Sequence, residues 1–325
     1  MYVNYIHDEK GVKVLSLRGV TKKYGDFCAV DKLDFDAPEG QIVGLIGPNG
    51  AGKSTTIRMI MNILECDEGE ISLDGKKFTA DDSNIIGYLP EERGLYKKQK
   101  VVDVLLYLAE LKGCSKQDAL PKIDYWLKRF DLLEWKNKKI DSLSKGMAQK
   151  IQFISTIVHD PQILFLDEPF SGLDPVSADE LLSIMNELKQ SGRILLFSTH
   201  VMEQAEKICD QIIMLNHGKK ILDGSMQKIR TQYGKNSITI DFSGDASAIS
   251  DLSVVESVQF SGSSCTVVLH NGSTVNDLFK SLSSLITQNK FSLRSIKVDE
   301  PSLHSIFVKL AGHGGNFDEK KEGEV

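Results

Sequence analysis

Gly47-Pro48-Asn49-Gly50-Ala51-Gly52-Lys53-Ser54-Thr55 decides how the rest of this 325-residue chain is read. The stretch fits G-x-x-x-x-G-K-[ST], a loop that wraps phosphate groups. Its flanks suit that use. The apolar run Gln41–Ile46 predicts a strand ahead of it, and Ile57, Ile60, Met61 and Leu64 repeat at helical spacing behind it. Glycines let backbone N–H groups turn inward and approach phosphate oxygens with no Cβ in the way. Lys53 supplies a point charge for the β- and γ-phosphates. The Ser54 hydroxyl is placed for Mg²⁺, and the helix starting near Gly52 or Lys53 adds its positive dipole end.

Two later segments supply chemistry for such a cradle. Ile163-Leu-Phe-Leu-Asp-Glu-Pro169 is an apolar strand ending in two acids. Acids at the C-terminal edge of a buried parallel strand lie where open α/β sheets bind ligands. Asp167 is the candidate to hold Mg²⁺, directly or through water. Glu168 is the candidate general base that polarises an attacking water. By themselves these acids would read as a solvated strand end. His200 closes another apolar run, Ile194–His200. A neutral imidazole there either donates to the γ-phosphate or holds the water in line. In isolation it would read as a capping or surface histidine.

Composition removes several classes. Thirty-nine Lys+Arg against 45 Asp+Glu give a net charge of −6, which argues against a general nucleic-acid binder. No uncharged apolar run approaches the roughly 18–20 residues that span a bilayer; Ile42–Gly47 and Val104–Ala109 have six each. The N-terminal residues carry no signal-peptide pattern. The five cysteines (Cys28, Cys66, Cys114, Cys209, Cys265) are scattered and odd in number, as in a cytoplasmic protein with reduced thiols.

Strand and helix signals alternate around the loop, which predicts an α/β fold with a mostly parallel sheet. Glu70–Phe78 reads as a hairpin around Asp74-Gly75. Helical patterns at Val101–Lys112, Leu120–Phe130 and Ala148–Val158 form a block within about residues 95–160. Further strands are expected at Ile163–Leu166 and Ile194–Ser198, with a helix at Val176–Lys189. Beyond Gly224 the chain turns rich in Ser and Val. Strands at Ser237–Phe242, Val255–Phe260, Cys265–His270 and Leu293–Val298 would be separated by helices at Ala246–Leu252 and Val275–Gln288. That β-α-β-β-α-β order predicts a small α+β ferredoxin-like domain. A last helix is expected behind Pro301. The domains expected are an extension at 1–13, a phosphate-loop domain at 14–230, an accessory domain at 231–311 and a disordered tail at 312–325.

The loop, the acidic strand, Ser171-Gly-Leu-Asp174, His200 and Leu143-Ser-Lys-Gly-Met147 together resemble the ATP-binding subunit of an ATP-binding-cassette (ABC) transporter, over about residues 14–230. That family implies a P-loop cassette with a mixed sheet and a helical subdomain, binding ATP with Mg²⁺ and hydrolysing it. The resemblance assigns Gly47 to Thr55 to the phosphates, with Lys53, Glu168 and His200 as the catalytic set and Ser54 and Asp167 on the metal. It makes Ser144 and Gly146 the signature that faces the γ-phosphate held by a partner subunit, and Asp174 part of the loop crossing that interface. It places Tyr24 on adenine; a core or surface tyrosine is the alternative. Glu91 stands where the family usually has glutamine, and a carboxylate can serve Mg²⁺ while bringing negative charge towards the γ-phosphate. Lys145 and Met147 stand where the signature usually has Gly and Gln.

The implied partners are a second ATPase subunit, in a homodimer or heterodimer, and a separate membrane permease. The implied location is cytoplasmic, peripheral on the inner face of the membrane. Ile86-Gly-Tyr-Leu-Pro90 with the following Glu-Glu-Arg-Gly-Leu-Tyr96, the LSKGM signature and the appended domain resemble a subgroup of bacterial sodium-extrusion and drug-export ATPases. The rival reading is an ABC ATPase acting on ribosomes or nucleic acid without a permease, which the acidic balance disfavours.

Overall fold

The computed structural model describes residues 13–92, 94–233, 237–270, 272–287, 291–299 and 302–311. Residues 1–12 of the expected extension, the expected tail 312–325, Arg93, Asn271, Gln288 and Pro301 lie outside the described residues. The chain divides into two compact units, Met1–Met226 and Gln227–Val325.

The first unit runs β1 (Val14–Tyr24), β2 (Phe27–Pro38), β3 (Ile42–Ile46), α1 (Lys53–Ile60), β4 (Glu68–Leu73), β5 (Lys76–Lys77) and β6 (Ile86–Leu89). Then come α2 (Val101–Leu111), α3 (Lys116–Arg129), α4 (Lys145–Ile157), β7 (Ile163–Asp167), α5 (Pro175–Gln190), β8 (Ile194–Thr199), α6 (Met202–Ile208), β9 (Gln211–Asn216) and β10 (Lys219–Ser225). Its main sheet has the order β10-β9-β3-β8-β7-β6. The strands from β9 to β6 are parallel, and only β9 and β10 pair antiparallel. Every residue of β3, β7 and β8 is buried, as expected of strands covered on both faces. A second, antiparallel sheet has the order β2-β1-β4-β5. The expected hairpin is its β4–β5 corner, where Asp74 and Gly75 both take positive φ, as a type I′ turn requires.

Leu15, Leu17, Leu33 and Phe35 of the antiparallel sheet share one core with Val43, Leu45, Phe165 and Leu196 of the main sheet and with Ile57 and Ile60 of α1. Burial of that apolar surface, at roughly 25 cal/mol per Å², holds the phosphate loop between the two sheets. The helical block departs from expectation at one end. α3 starts at Lys116 rather than Leu120, because Ser115 caps it by accepting from the Asp118 N–H at 3.2 Å. Pro121 then lies inside the helix, one turn past its start.

The second unit holds α7 (Met226–Tyr233), β11 (Ser237–Gly244), β12 (Val255–Ser261), β13 (Ser264–Leu269), α8 (Val275–Thr287), β14 (Phe291–Asp299) and α9 (Leu303–Ala311). Its sheet order is β12-β13-β11-β14, with every neighbour antiparallel. That is the split pattern expected. The first connecting helix is reduced to a 3₁₀ turn at Ser247–Asp251, which still buries Ile249. Leu278, Leu282 and Leu285 of α8 pack on Ile238, Ile240, Val267 and Phe291 in a core made entirely of this unit's residues.

Candidate active site

The phosphate loop leaves β3 through Gly47 at φ 150° and enters α1 through Gly52 at φ 103°. Neither position has room for a side chain. A Cβ at Gly47 would lie 2.2 Å from the Leu215 carbonyl oxygen, and one at Gly52 2.5 Å from that of Ala29. Lys53, only 7% exposed, turns back over the loop and donates to the carbonyls of Gly47 at 2.8 Å and Pro48 at 3.1 Å. Burial pushes its pKa down, against the opposing pull of Glu168, Asp167 and Glu91.

The two acids are set by the pairing of β7 with β8, which places Asp167 opposite Ser198. The Ser198 hydroxyl donates to Asp167 Oδ1, and the Ser54 hydroxyl reaches Oδ2 at 3.2 Å. Glu168 takes a left-handed backbone, φ 47°, a conformation that costs an L-residue roughly 1–2 kcal/mol. Its carboxylate is held by three donors. Thr199 Oγ1 lies 3.0 Å from Oε2, while the His200 backbone N–H and ring Nδ1 lie 2.8 and 2.6 Å from Oε1. With Nδ1–H donating to Glu168, a neutral His200 ring presents Nε2 as an acceptor; donation from Nε2 takes the imidazolium. The ring is 54% exposed on its other side.

These groups meet in a cleft of about 420 Å³ lined by Tyr24, Phe27, Ala29, Asn49, Gly50, Ala51, Gly52, Lys53, Ser54, Thr55, Glu91, Asp167 and Glu168. Tyr24 and Phe27 pair across the Gly25-Asp26 turn of β1 and β2 and stay 50% and 60% exposed, so two rings border one end of the cleft. Gly47 and Pro48 stand behind it as acceptors for Lys53.

Four further expected residues do not line this cleft: His200, which meets it only through its bonds to Glu168, and Ser144, Gly146 and Asp174. Ser144 caps α4 by accepting from the Met147 N–H at 3.2 Å. Gly146 follows in the first turn, beside Gly172 and Leu173. Asp174 caps α5, and the Ser177 N–H and hydroxyl hold its carboxyl below the usual carboxylate range. One chain therefore carries a phosphate cradle and, elsewhere, a capped helix start whose N–H groups suit another anion.

For a divalent ion the donors that meet are the Ser54 hydroxyl and the Asp167 carboxylate, and Glu91, expected as a third, lines the same cleft. Among the described residues no group of three or more His, Cys, Asp or Glu side chains is placed to hold a metal. One carboxylate and one hydroxyl suit Mg²⁺, which keeps several waters and takes phosphate oxygens for the rest. Sequence reasoning missed Phe27, Ala29, Ser198 and Thr199. The signal for Phe27 was an aromatic pair flanking a Gly-Asp turn. Ser198 and Thr199 looked like ordinary strand residues, because only strand pairing reveals their partners.

Comparison with known proteins gives a consistent result. Residues 30–171 match a family model described as "ABC transporter". Residues 224–311 match one described as "ATP-binding protein DrrA1-3-like, C-terminal domain". The chain is 43% identical to the ABC transporter ATP-binding protein YhaQ of Bacillus subtilis, over 92% of this chain and 99% of that protein. It is 30% identical to the linearmycin resistance ATP-binding protein LnrL of the same species, over 92% of this chain and 98% of that one. A solved structure of an ATP-binding subunit of an ABC transporter superposes with a TM-score of 0.64 at 32% identity, covering 68% of this chain and 93% of the other.

Proposed function

The chain belongs to the ABC transporter ATP-binding proteins, and we propose how its residues share out the work of that family. It is an ATPase that powers transport through a membrane permease. Among the described residues no helix is long and apolar enough to cross a membrane, so its attachment there runs through the permease. The other reading, action on ribosomes or nucleic acid, finds no support in these relatives and none in a net charge of −6.

The assignment rests above all on the meeting of the loop with the acids, Ser54 Oγ to Asp167 Oδ2 at 3.2 Å. In our reading Tyr24, with Phe27 beside it, takes the adenine, and the backbone from Gly47 to Thr55 with Lys53 takes the phosphates. Ser54 and Asp167, with Glu91 nearby, hold Mg²⁺, which supplies charge neutralisation at the β- and γ-oxygens. Glu168 accepts a proton from the water that attacks the γ-phosphorus as the bond to the ADP oxygen breaks. The acceptor nitrogen of a neutral His200 holds that water.

Ser144, Gly146 and Asp174 act across a dimer, closing on ATP bound by the partner subunit. Their distance from their own chain's cleft supports that division. The cassette expected at 14–230 and the accessory domain expected at 231–311 meet within a few residues of the Met226–Gln227 division between the two compact units. The resistance-protein relative points to export, from the inner face of the cell membrane. The test is Glu168→Gln. It should bind ATP as the parent does, hydrolyse it at least about 100-fold more slowly, and accumulate as an ATP-bound dimer on size exclusion. Multiple turnover at the parent rate would remove Glu168 as the base.

A further inference from the structure

α4 carries a buried polar stripe that the site as described does not use. Gln149, Gln152 and Thr156 are each 3% exposed and share one helix face at i, i+3 and i+7. The two amides donate to main-chain carbonyls on segments that lead into the cleft. Gln149 Nε2 reaches Pro169 O at 3.2 Å, one residue past Glu168. Thr156 Oγ1 lies 3.0 Å from the Gln152 carbonyl of its own helix and 3.3 Å from Tyr88 O on β6, and its single hydrogen serves the nearer acceptor. Gln152 Nε2 reaches two carbonyls, Pro90 O at 3.4 Å and Glu92 O at 3.2 Å. Those two flank Glu91, whose side chain lines the cleft. Turning the amide over would set its oxygen against both carbonyls, so the donor end is fixed. The cost is visible: Gln152 Oε1 is buried with no partner among the described residues.

We propose that Gln152 is a positioning residue for Glu91: its amide fixes the Pro90–Glu92 backbone so that the Glu91 carboxylate faces the cleft. This rests on the reading above that the cleft takes ATP with Mg²⁺. The chemistry explains why such a clamp is needed. A carboxylate near a triphosphate helps when it lies on the metal side and repels when it drifts towards phosphate oxygens. Glu91 is already close enough to Lys53 to act on its charge. The clamp also ties that carboxylate to the helix capped by Ser144, so a movement of α4 is transmitted to Glu91 through one side chain.

The test is a double-mutant cycle on the full chain. It reads the Mg²⁺ concentration for half-maximal binding of a non-hydrolysable ATP analogue by calorimetry. Gln152→Leu, Gln152→Met and Glu91→Ala should each raise that concentration by about tenfold, the lower end of what losing a ligand's supporting partner costs. Gln152→Leu combined with Glu91→Ala should raise it no further than Glu91→Ala alone. Should Gln152→Leu not fold, Gln152→Met, close to glutamine in length and volume but with no N–H to donate, carries the decision. A Gln152 effect that persists in the Glu91→Ala background overturns the proposal. So does an unshifted midpoint in the Gln152 variants or in Glu91→Ala, which would leave nothing to position. Lys53→Ala separates the two levels. Undiminished analogue binding by that variant brings down the site reading itself, whereas its loss together with an additive cycle brings down only the role of Gln152.

Discussion

His159 is a half-buried base just past the end of α4, with Nε2 3.0 Å from the Ile86 carbonyl and Nδ1 unpaired among the described residues. Burial holds its pKa down at about 4, against a usual 6.5. The sign follows from linkage. Below pH 6.5 the unfolded chain takes up a proton that the folded chain refuses until about pH 4, so the folded state loses stability as pH falls through that window. Between pH 7 and pH 5 the loss from this residue should be about 2 kcal/mol. Urea unfolding of the parent and of His159→Gln at both pH values measures it: the parent should lose that much more than the variant. An equal loss in both would show that His159 is not the sensitive group. Residues also mark the limit of what sequence reveals. Lys53, Ser54, Asp167 and Glu168 are legible because each lies beside a recognisable run. Thr199 is not, since its hydroxyl finds Glu168 across 31 residues of chain.

At the scale of elements, α4 has a start that serves two purposes, and they can be separated. Ser144 Oγ satisfies the Met147 N–H as a cap, and in the proposed dimer it meets a phosphate. Ser144→Ala should cost about 1 kcal/mol of stability and also weaken ATP-dependent dimerisation. Ser144→Asp keeps a good cap, so its melting temperature should stay close to the parent's. Its added negative charge should still abolish ATP-driven dimer formation on size exclusion. Dimerisation by the Asp variant at parent levels would leave Ser144 as a cap alone. Which elements were legible follows a similar logic. β3, β7 and β8 were visible because strands buried on both faces are unbroken apolar runs. β1 and β2 are longer, at 11 and 12 residues, yet of the two only Val12–Arg18 shows in the sequence the apolar–polar alternation of a half-buried strand. Their ladder slips register three times, and their outer faces are charged, so neither shows a clean alternation. α3 begins at Lys116, four residues before the expected Leu120, because the Ser115 cap that opens it is a side-chain bond that periodicity does not show.

For the whole molecule, the decisive fact is that the two hydrophobic cores draw on separate stretches of chain, Leu15 to Leu215 and Ile238 to Phe291. Each unit should therefore fold alone. A fragment of residues 1–226 should bind the ATP analogue within about threefold of the full chain, and a fragment of residues 227–325 should melt cooperatively. An unfolded or analogue-blind first fragment would show that the second unit is part of the nucleotide site's support. The boundary was legible as a change in composition near Gly224. The shrinkage of the first accessory helix to a 3₁₀ turn was not, because Ile249 keeps its buried place in either form. Separate cores also have a genetic consequence. A stop codon just past the boundary would not remove the motor; it would release a folded cassette still able to pair with the complete chain. Such an allele would leave a nucleotide-binding motor in place, so its phenotype would report the work of the second unit alone.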